Sequence, residues 1–214
     1  DEDEEGDEYW FYLSTKGEAF NDEAKDAISG EATGVTATDL YDGDVYENIA
    51  AKVIKNKTYL FDGNGHMLTG VLKLEGDAYR SGGSDLEDGG IYYFSEEDGS
   101  ENGQMLTGKQ TYDNEGEDET YYFKKNGQAY TNALVSGAIY DSEGKRVDAE
   151  DGAAYMLYTT EADITDDDGT TVLIPEGTQV IVNRSGSVKK NGSAEVDGVD
   201  YDIDNYVATE DIDE

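Results

Sequence analysis

Short stretches in which apolar and polar residues alternate are separated by glycine- and asparagine-bearing breaks, and this pattern predicts strands paired as hairpins. Alternate side chains of a strand share a face, so Tyr59 with Phe61, Tyr92 with Phe94, and Tyr121 with Phe123 are expected to form same-side pairs, with one face buried. The stretches recur. Thr58-Tyr59-Leu60-Phe61 leads to Gly65-His66-Met67-Leu68-Thr69-Gly70, Ile91-Tyr92-Tyr93-Phe94 to Gly103-Gln104-Met105-Leu106-Thr107-Gly108, and Tyr121-Tyr122-Phe123 to Gly127-Gln128-Ala129-Tyr130. A glycine at a fixed offset suits a turn residue of positive φ, and Asn64-Gly65 and Asn126-Gly127 are strong hairpin signals. The Met or Ala that follows is expected to fill the space between stacked hairpins.

The step from the last aromatic residue to glycine is four residues in 61→65, 123→127 and 140→144 but nine in 94→103, so five extra residues lengthen one turn within Ser95–Asn102. The aromatic anchors advance by 33, 29 and 17 residues, which makes the connections unequal. Insertions in a stacked array go to loops on one side. Upstream, Tyr9-Trp10-Phe11-Tyr12 followed by Gly17 and Ala19 reads as a degenerate first repeat, with Trp10 packing at the end of the array. Residues 21–50 read as an insertion or long connection, with one or two helical turns at Asp22–Ile28. Ala51–Ile54 and Thr58–Phe61 are expected to pair across Lys55-Asn56-Lys57, and Val71–Leu74 to pair with Ala78–Tyr79 ahead of a loop at Ser81–Gly90. Downstream, Val180-Ile181-Val182 reaches Gly186 in four steps with Val188 in the filling slot. Thr170–Ile174 and Thr178–Val182 read as a hairpin around Pro175-Glu176-Gly177.

The phrases YLFDGNGHMLTG and YYFKKNGQAYTN resemble the cell-wall-binding repeat family, which is choline-binding-like and related to glucan-binding repeats; the resemblance covers 57–147. It implies an all-β fold, a stacked β-hairpin solenoid with inserted loops, in a secreted protein held at the cell wall or cell surface. The expected organisation is 1–56 as acidic tail, degenerate first repeat and insertion, 57–147 as repeats, and 148–214 as decayed repeats or a small β unit with an acidic tail.

Composition narrows the function. Of 214 residues, 51 are acidic and 15 basic, a net charge of −36, which repels nucleic acids, anionic membranes and polyanionic wall polymers. A neutral glycan, a cationic ligand, or an anion bridged by Ca²⁺ stays admissible. There is no cysteine for thiol chemistry or disulfide bracing, and no apolar run long enough for membrane insertion. The chain begins at Asp1 without a visible signal peptide and reads as a mature or excised piece.

Nucleophilic catalysis needs a histidine base, and the one histidine, His66, falls in a repeat turn in the slot that Gln104 and Gln128 fill elsewhere. Carboxylates are too numerous for any pair to stand out as a glycosidase site. Asp166-Asp167-Asp168-Gly169, Asp42-Gly43-Asp44 and Asp62-Gly63-Asn64-Gly65 are acidic turns, but none has the EF-hand pattern, and no metal site or cofactor is assigned.

The resemblance implies a quaternary ammonium held in an aromatic cage. The tryptophan that opens the family's aromatic stretch is replaced here by Thr58, Ile91 and Thr120, and the one after Thr-Gly by Val71 and Lys109. Tyr59, Tyr92 and Tyr121 are read as core. Tyr93, Tyr122 and Tyr130, beside Asn126 and Gln128, are the expected glycan- or choline-binding residues: rings stack on the C–H faces of sugars and amides bind hydroxyls. The expected role is a non-enzymatic surface attachment module contacting a cell-wall polymer or neutral glycan. The alternative is a spacer or protein-adhesion segment that contacts a surface protein and binds no small ligand.

Overall fold

The computed structural model describes residues 10–13, 34–97, 99–114 and 116–211. The expected helical turns at 22–28 lie outside that range. Among the described residues the regular structure is entirely β, in six sheets of two to four strands. The chain divides into two compact units, one of Asp1–Gly108 with Phe123–Ala129 and the other of Lys109–Tyr122 with Tyr130–Glu214.

The repeat grammar survives as a fixed pattern of backbone hydrogen bonds. In each turn the N–H of the residue after the apolar triplet donates to the carbonyl just past the glycine, and the glycine N–H donates back to that first residue. The sets are Asp62 with His66 and Gly65, Ser95 with Gln104 and Gly103, Lys124 with Gln128 and Gly127, Asp141 with Lys145 and Gly144, and Asn183 with Ser187 and Gly186. These glycines have φ between 70° and 91°, the left-handed region that a side chain would strain. The five-residue insertion after Ser95 leaves both closing bonds intact, as its spacing predicted. Asp62, Asp141 and Asn183 brace their turns further, each accepting two backbone N–H groups on Oδ1.

A second pattern links successive repeats. The N–H of the filling residue donates to the carbonyl of the residue that opens the preceding stretch: Met67 to Trp10, Met105 to Thr58, and Ala129 to Ile91 in the first unit, Arg146 to Thr120 and Val188 to Gly137 in the second. The bridge between Phe11 and His66 fixes the same register. Trp10, not Tyr9, therefore opens the first repeat, and Leu13 takes the last apolar slot, four steps before Gly17.

In the first unit, Ala50–Ile54 and Lys57–Phe61 pair as expected, across Lys55 and Asn56 at φ 50° and 67°, the positive values a two-residue hairpin turn requires. Val71–Leu74 does not pair with 78–79. Gly70–Glu75 lies between Thr36–Asp39 and Ile91–Phe94, because residues 36–47, expected to be connection, form a hairpin that joins this sheet. Ala78 bridges Leu86 instead, drawing the buried Leu86 of the expected loop into the core. That core gathers Ile49, Leu60, Leu72, Leu74, Tyr92 and Phe94, each worth about 2 kcal/mol on burial. The Tyr92 hydroxyl accepts the Glu87 N–H at 2.9 Å, so its burial leaves no orphan.

In the second unit, Val172–Ile174 and Gln179–Asn183 do not form a hairpin with each other. The former pairs with Ile164–Thr165 and the latter with Tyr155–Thr159. Thr160 explains the divergence: its Oγ1 donates to Pro175 O at 2.7 Å and accepts the Thr178 N–H at 3.1 Å, holding the Pro175 turn against a third segment. The chain ends in a meander of Gly192–Val196, Val199–Asp204 and Val207–Glu210 that packs on Ile181.

Candidate functional site

The expected pairs bury their rings at Tyr92 with Phe94 and at Tyr121 with Phe123. At 59–61 the pattern departs, because Leu60 is in the core alongside Phe61 while Tyr59 is half-exposed. Tyr59 turns to a cavity of about 320 Å³ in the first unit. Trp10, Phe11, Tyr12, Tyr59, Phe61 and Met67 supply its apolar wall. Ile54 closes one side, and Gly99, Ser100 and Asn102, contributed by the inserted turn, form a polar rim. A volume at the lower end of the roughly 300–1,000 Å³ typical of small-molecule sites, apolar walls and a few polar groups are the features of a binding site.

Trp10, expected from sequence to pack at the end of the array, is 61% exposed and lines this cavity. The Phe11 ring meets His66 edge-on at 5.0 Å. His66 is in turn fixed by Asp62, whose Oδ1 accepts its N–H at 2.8 Å and whose Oδ2 lies 3.1 Å from Nδ1. The histidine is thus a part of the turn that orients one wall of the cavity.

Of the residues expected to bind ligand, Tyr93, Asn126 and Gln128 belong to the first unit and Tyr122 and Tyr130 to the second. Tyr93 is half-buried, 6.2 Å from the Phe123 ring, and burial, reinforced by Glu96 and Glu97, raises its phenol above the usual value of 10.0. Asn126 Oδ1 accepts the Gln128 N–H at 3.1 Å, and Gln128 Oε1 accepts from Lys124 Nζ at 3.2 Å, so both side-chain oxygens serve the turn. Tyr122 meets Tyr130 at 5.7 Å and Tyr140 at 6.2 Å, both edge-to-face, arrangements worth about 1 kcal/mol each. Burial first, then the charge of Asp167, raises the Tyr130 phenol, which stays protonated and able to donate.

Sequence reasoning missed the cavity because Tyr59 shares its repeat position with the buried Tyr92 and Tyr121. The available signal was Trp10, the single tryptophan of the chain. For the acidic turns, Asp166 Oδ1 accepts the N–H groups of Thr170 and Thr171, and no group of three or more metal-ligating side chains is assembled among the described residues.

No family model matches the chain, and no curated protein matches it. Among solved structures, the chain is similar to CbpF, the choline binding protein F of Streptococcus pneumoniae, in complex with ipratropium, at 16% identity and a TM-score of 0.40 over 95% of this chain and 65% of that one. It is similar to a truncated alternansucrase from Leuconostoc mesenteroides at 19% identity and a TM-score of 0.32, over 72% of this chain and 11% of that one. The modular autolysin LytC from Streptococcus pneumoniae, in complex with a synthetic peptidoglycan ligand, is similar at 17% identity and a TM-score of 0.27, over 94% and 46%. The chain thus spans less than two thirds of the length of each of these proteins.

Proposed function

We propose that the protein is a non-enzymatic attachment module of the cell wall or cell surface that binds a neutral glycan. The observation that carries this reading is the cavity walled by Trp10, Phe11, Tyr12 and Tyr59, with Ser100 and Asn102 at its rim. Flat rings accept the C–H face of a sugar, and the rim supplies groups for its hydroxyls. Tyr122 and Tyr130, with Tyr93, Asn126 and Gln128, are proposed as further shallow contacts of the same kind. The resemblance of the repeat phrases to the cell-wall-binding family supports the surface role. The closing bonds of each turn use only backbone groups, which leaves side chains of successive repeats open to variation.

Trp10 makes the test direct, because it is the sole tryptophan and reports on the cavity it lines. Neutral oligosaccharides selected on a glycan array are expected to change its fluorescence. Tyr59→Ala, read by the same fluorescence, and Trp10→Ala, read by the array signal because it removes the reporter, should each lose binding by about tenfold or more while the circular dichroism spectrum is retained. Absence of any array signal for the intact chain would overturn the reading.

A spacer or protein-adhesion role is favoured for the later repeats by a separate observation. From the third repeat on, the opening slots hold Ile91, Thr120 and Gly137, and none of these offers an aromatic platform.

A further inference from the structure

Resting on the proposed glycan reading, we infer that Lys52 is a specificity residue that bars cations from the aromatic cavity and so reserves it for an uncharged ligand. In strand Ala50–Ile54, Lys52 shares a face with Ile54, which lines the cavity, and its register partner across the hairpin is Tyr59, which also lines it. The Lys52 ammonium lies 5.0 Å from the centroid of the Tyr12 ring, another wall residue. The strongest feature of an aromatic cage for a cation is its electron-rich ring face, and here the protein's own cation holds one.

Two further observations point the same way. Among the described residues that line the cavity, none carries a charge. Asp62, in the turn between Phe61 and Met67, commits Oδ1 to the N–H groups of Asn64 and His66 and turns Oδ2 to His66 Nδ1. At the same time the net charge of −36 concentrates cations around the molecule. An aromatic cavity on such a surface would collect them without discrimination unless a positive charge stood beside one of its rings. Lys52 supplies that charge.

The test follows Trp10 fluorescence in the full chain as choline chloride is added, with sodium chloride at matched ionic strength as reference and a neutral gluco-oligosaccharide as a parallel arm. The wild type should give no choline-specific change. Lys52→Gln should gain choline binding of at least about tenfold over the wild type. Lys52→Arg, which keeps the charge, should not gain it, and Lys73→Gln, on an exposed position elsewhere in the same unit, controls for net charge.

Equal choline responses in wild type and Lys52→Gln, or none in a folded Lys52→Gln, would overturn the inference. Should Lys52→Gln fail to fold, Lys52→Met is read against the same expectations. If the oligosaccharide arm fails for every variant while Lys52→Gln gains choline, the glycan reading falls and the exclusion by Lys52 stands.

Discussion

The two units close their turns with the same backbone bonds but differ in the long side chains laid against their turn glycines, methionines in the first and an arginine in the second. In the first unit the filling residues include Met67 and Met105, whose thioethers lie where a Cβ on Gly103 or Gly127 would stand. In the second, Arg146 takes the slot and its stem lies against Gly186, while its guanidinium reaches Asp148, with Nε to Oδ2 at 3.0 Å. Where a turn glycine faces the slot at Gly103, Gly127 and Gly186, a long unbranched stem fills it, and the polarity of the tip is set by what surrounds it. A methionine ends against a cluster that includes Leu60, Leu68 and Phe94; an arginine needs a carboxylate at its end.

The largest effect should come from removing the glycine. Gly127→Ala places a Cβ at φ +91° and into Met105, and is expected to lose about 3 kcal/mol of stability, summing backbone strain and displacement of the thioether. Gly186→Ala, at φ +78°, should lose about 2 kcal/mol, since the arginine stem can shift toward solvent with its head. Urea denaturation of the two variants checks the order, and equal losses would mean that the filling side chain is irrelevant to the glycine requirement.

Exchanging the tips tests the comparison more directly. Met105→Arg puts a charge beside an apolar cluster with Thr107 where the second unit has Asp148, and should cost about 2 kcal/mol. Arg146→Met gives up one ion pair at the edge of solvent and should cost less than about 1 kcal/mol. If the double variant Met105→Arg, Thr107→Asp recovers most of the loss, the two slots are interchangeable once the partner is supplied.

Much of this architecture was legible because it is written in spacing. The four-step interval to glycine, its one lengthened copy and its return at Val182→Gly186 all correspond to the same closing bonds. Four things were not legible. The first repeat reads one residue early in sequence, because Tyr9 to Tyr12 is an unbroken aromatic run and its frame is fixed by the bond from Met67 to Trp10 and the bridge of Phe11 to His66. The strands at 36–47 carry little hydrophobic signal, their Ala37 buried by the neighbouring Gly70–Glu75 rather than by its own pattern. The strands around Pro175 look like a hairpin locally, but Thr160 draws the turn to a distant segment. The cavity was hidden for a related reason: whether a ring at the Tyr59 position is core or wall depends on the preceding repeat, not on its own.

The smallest effects expected are those of two acidic side chains, and they carry opposite signs in the two units. Burial, and then the charges of Asp39 and Asp42, raise the Glu96 carboxyl of the first unit above its usual 4.5. The folded state then binds this proton more readily than the unfolded chain, so the stabilisation is complete below pH 4.5 and is lost as pH rises through the higher folded value. Asp166 in the second unit is lowered from 3.8 by the N–H groups of Thr170 and Thr171, so its contribution is present above pH 3.8 and is lost as pH falls through the lower folded value. Glu96→Gln should therefore raise the melting temperature at neutral pH, with the gain vanishing below pH 4.5, whereas Asp166→Asn should lower it slightly at neutral pH and converge on the wild type in acid. Melting temperatures taken across that range for the three proteins give the two difference curves. Curves of the same sign would show that general repulsion among 51 acidic residues, rather than the local surroundings of each carboxyl, governs the response to pH.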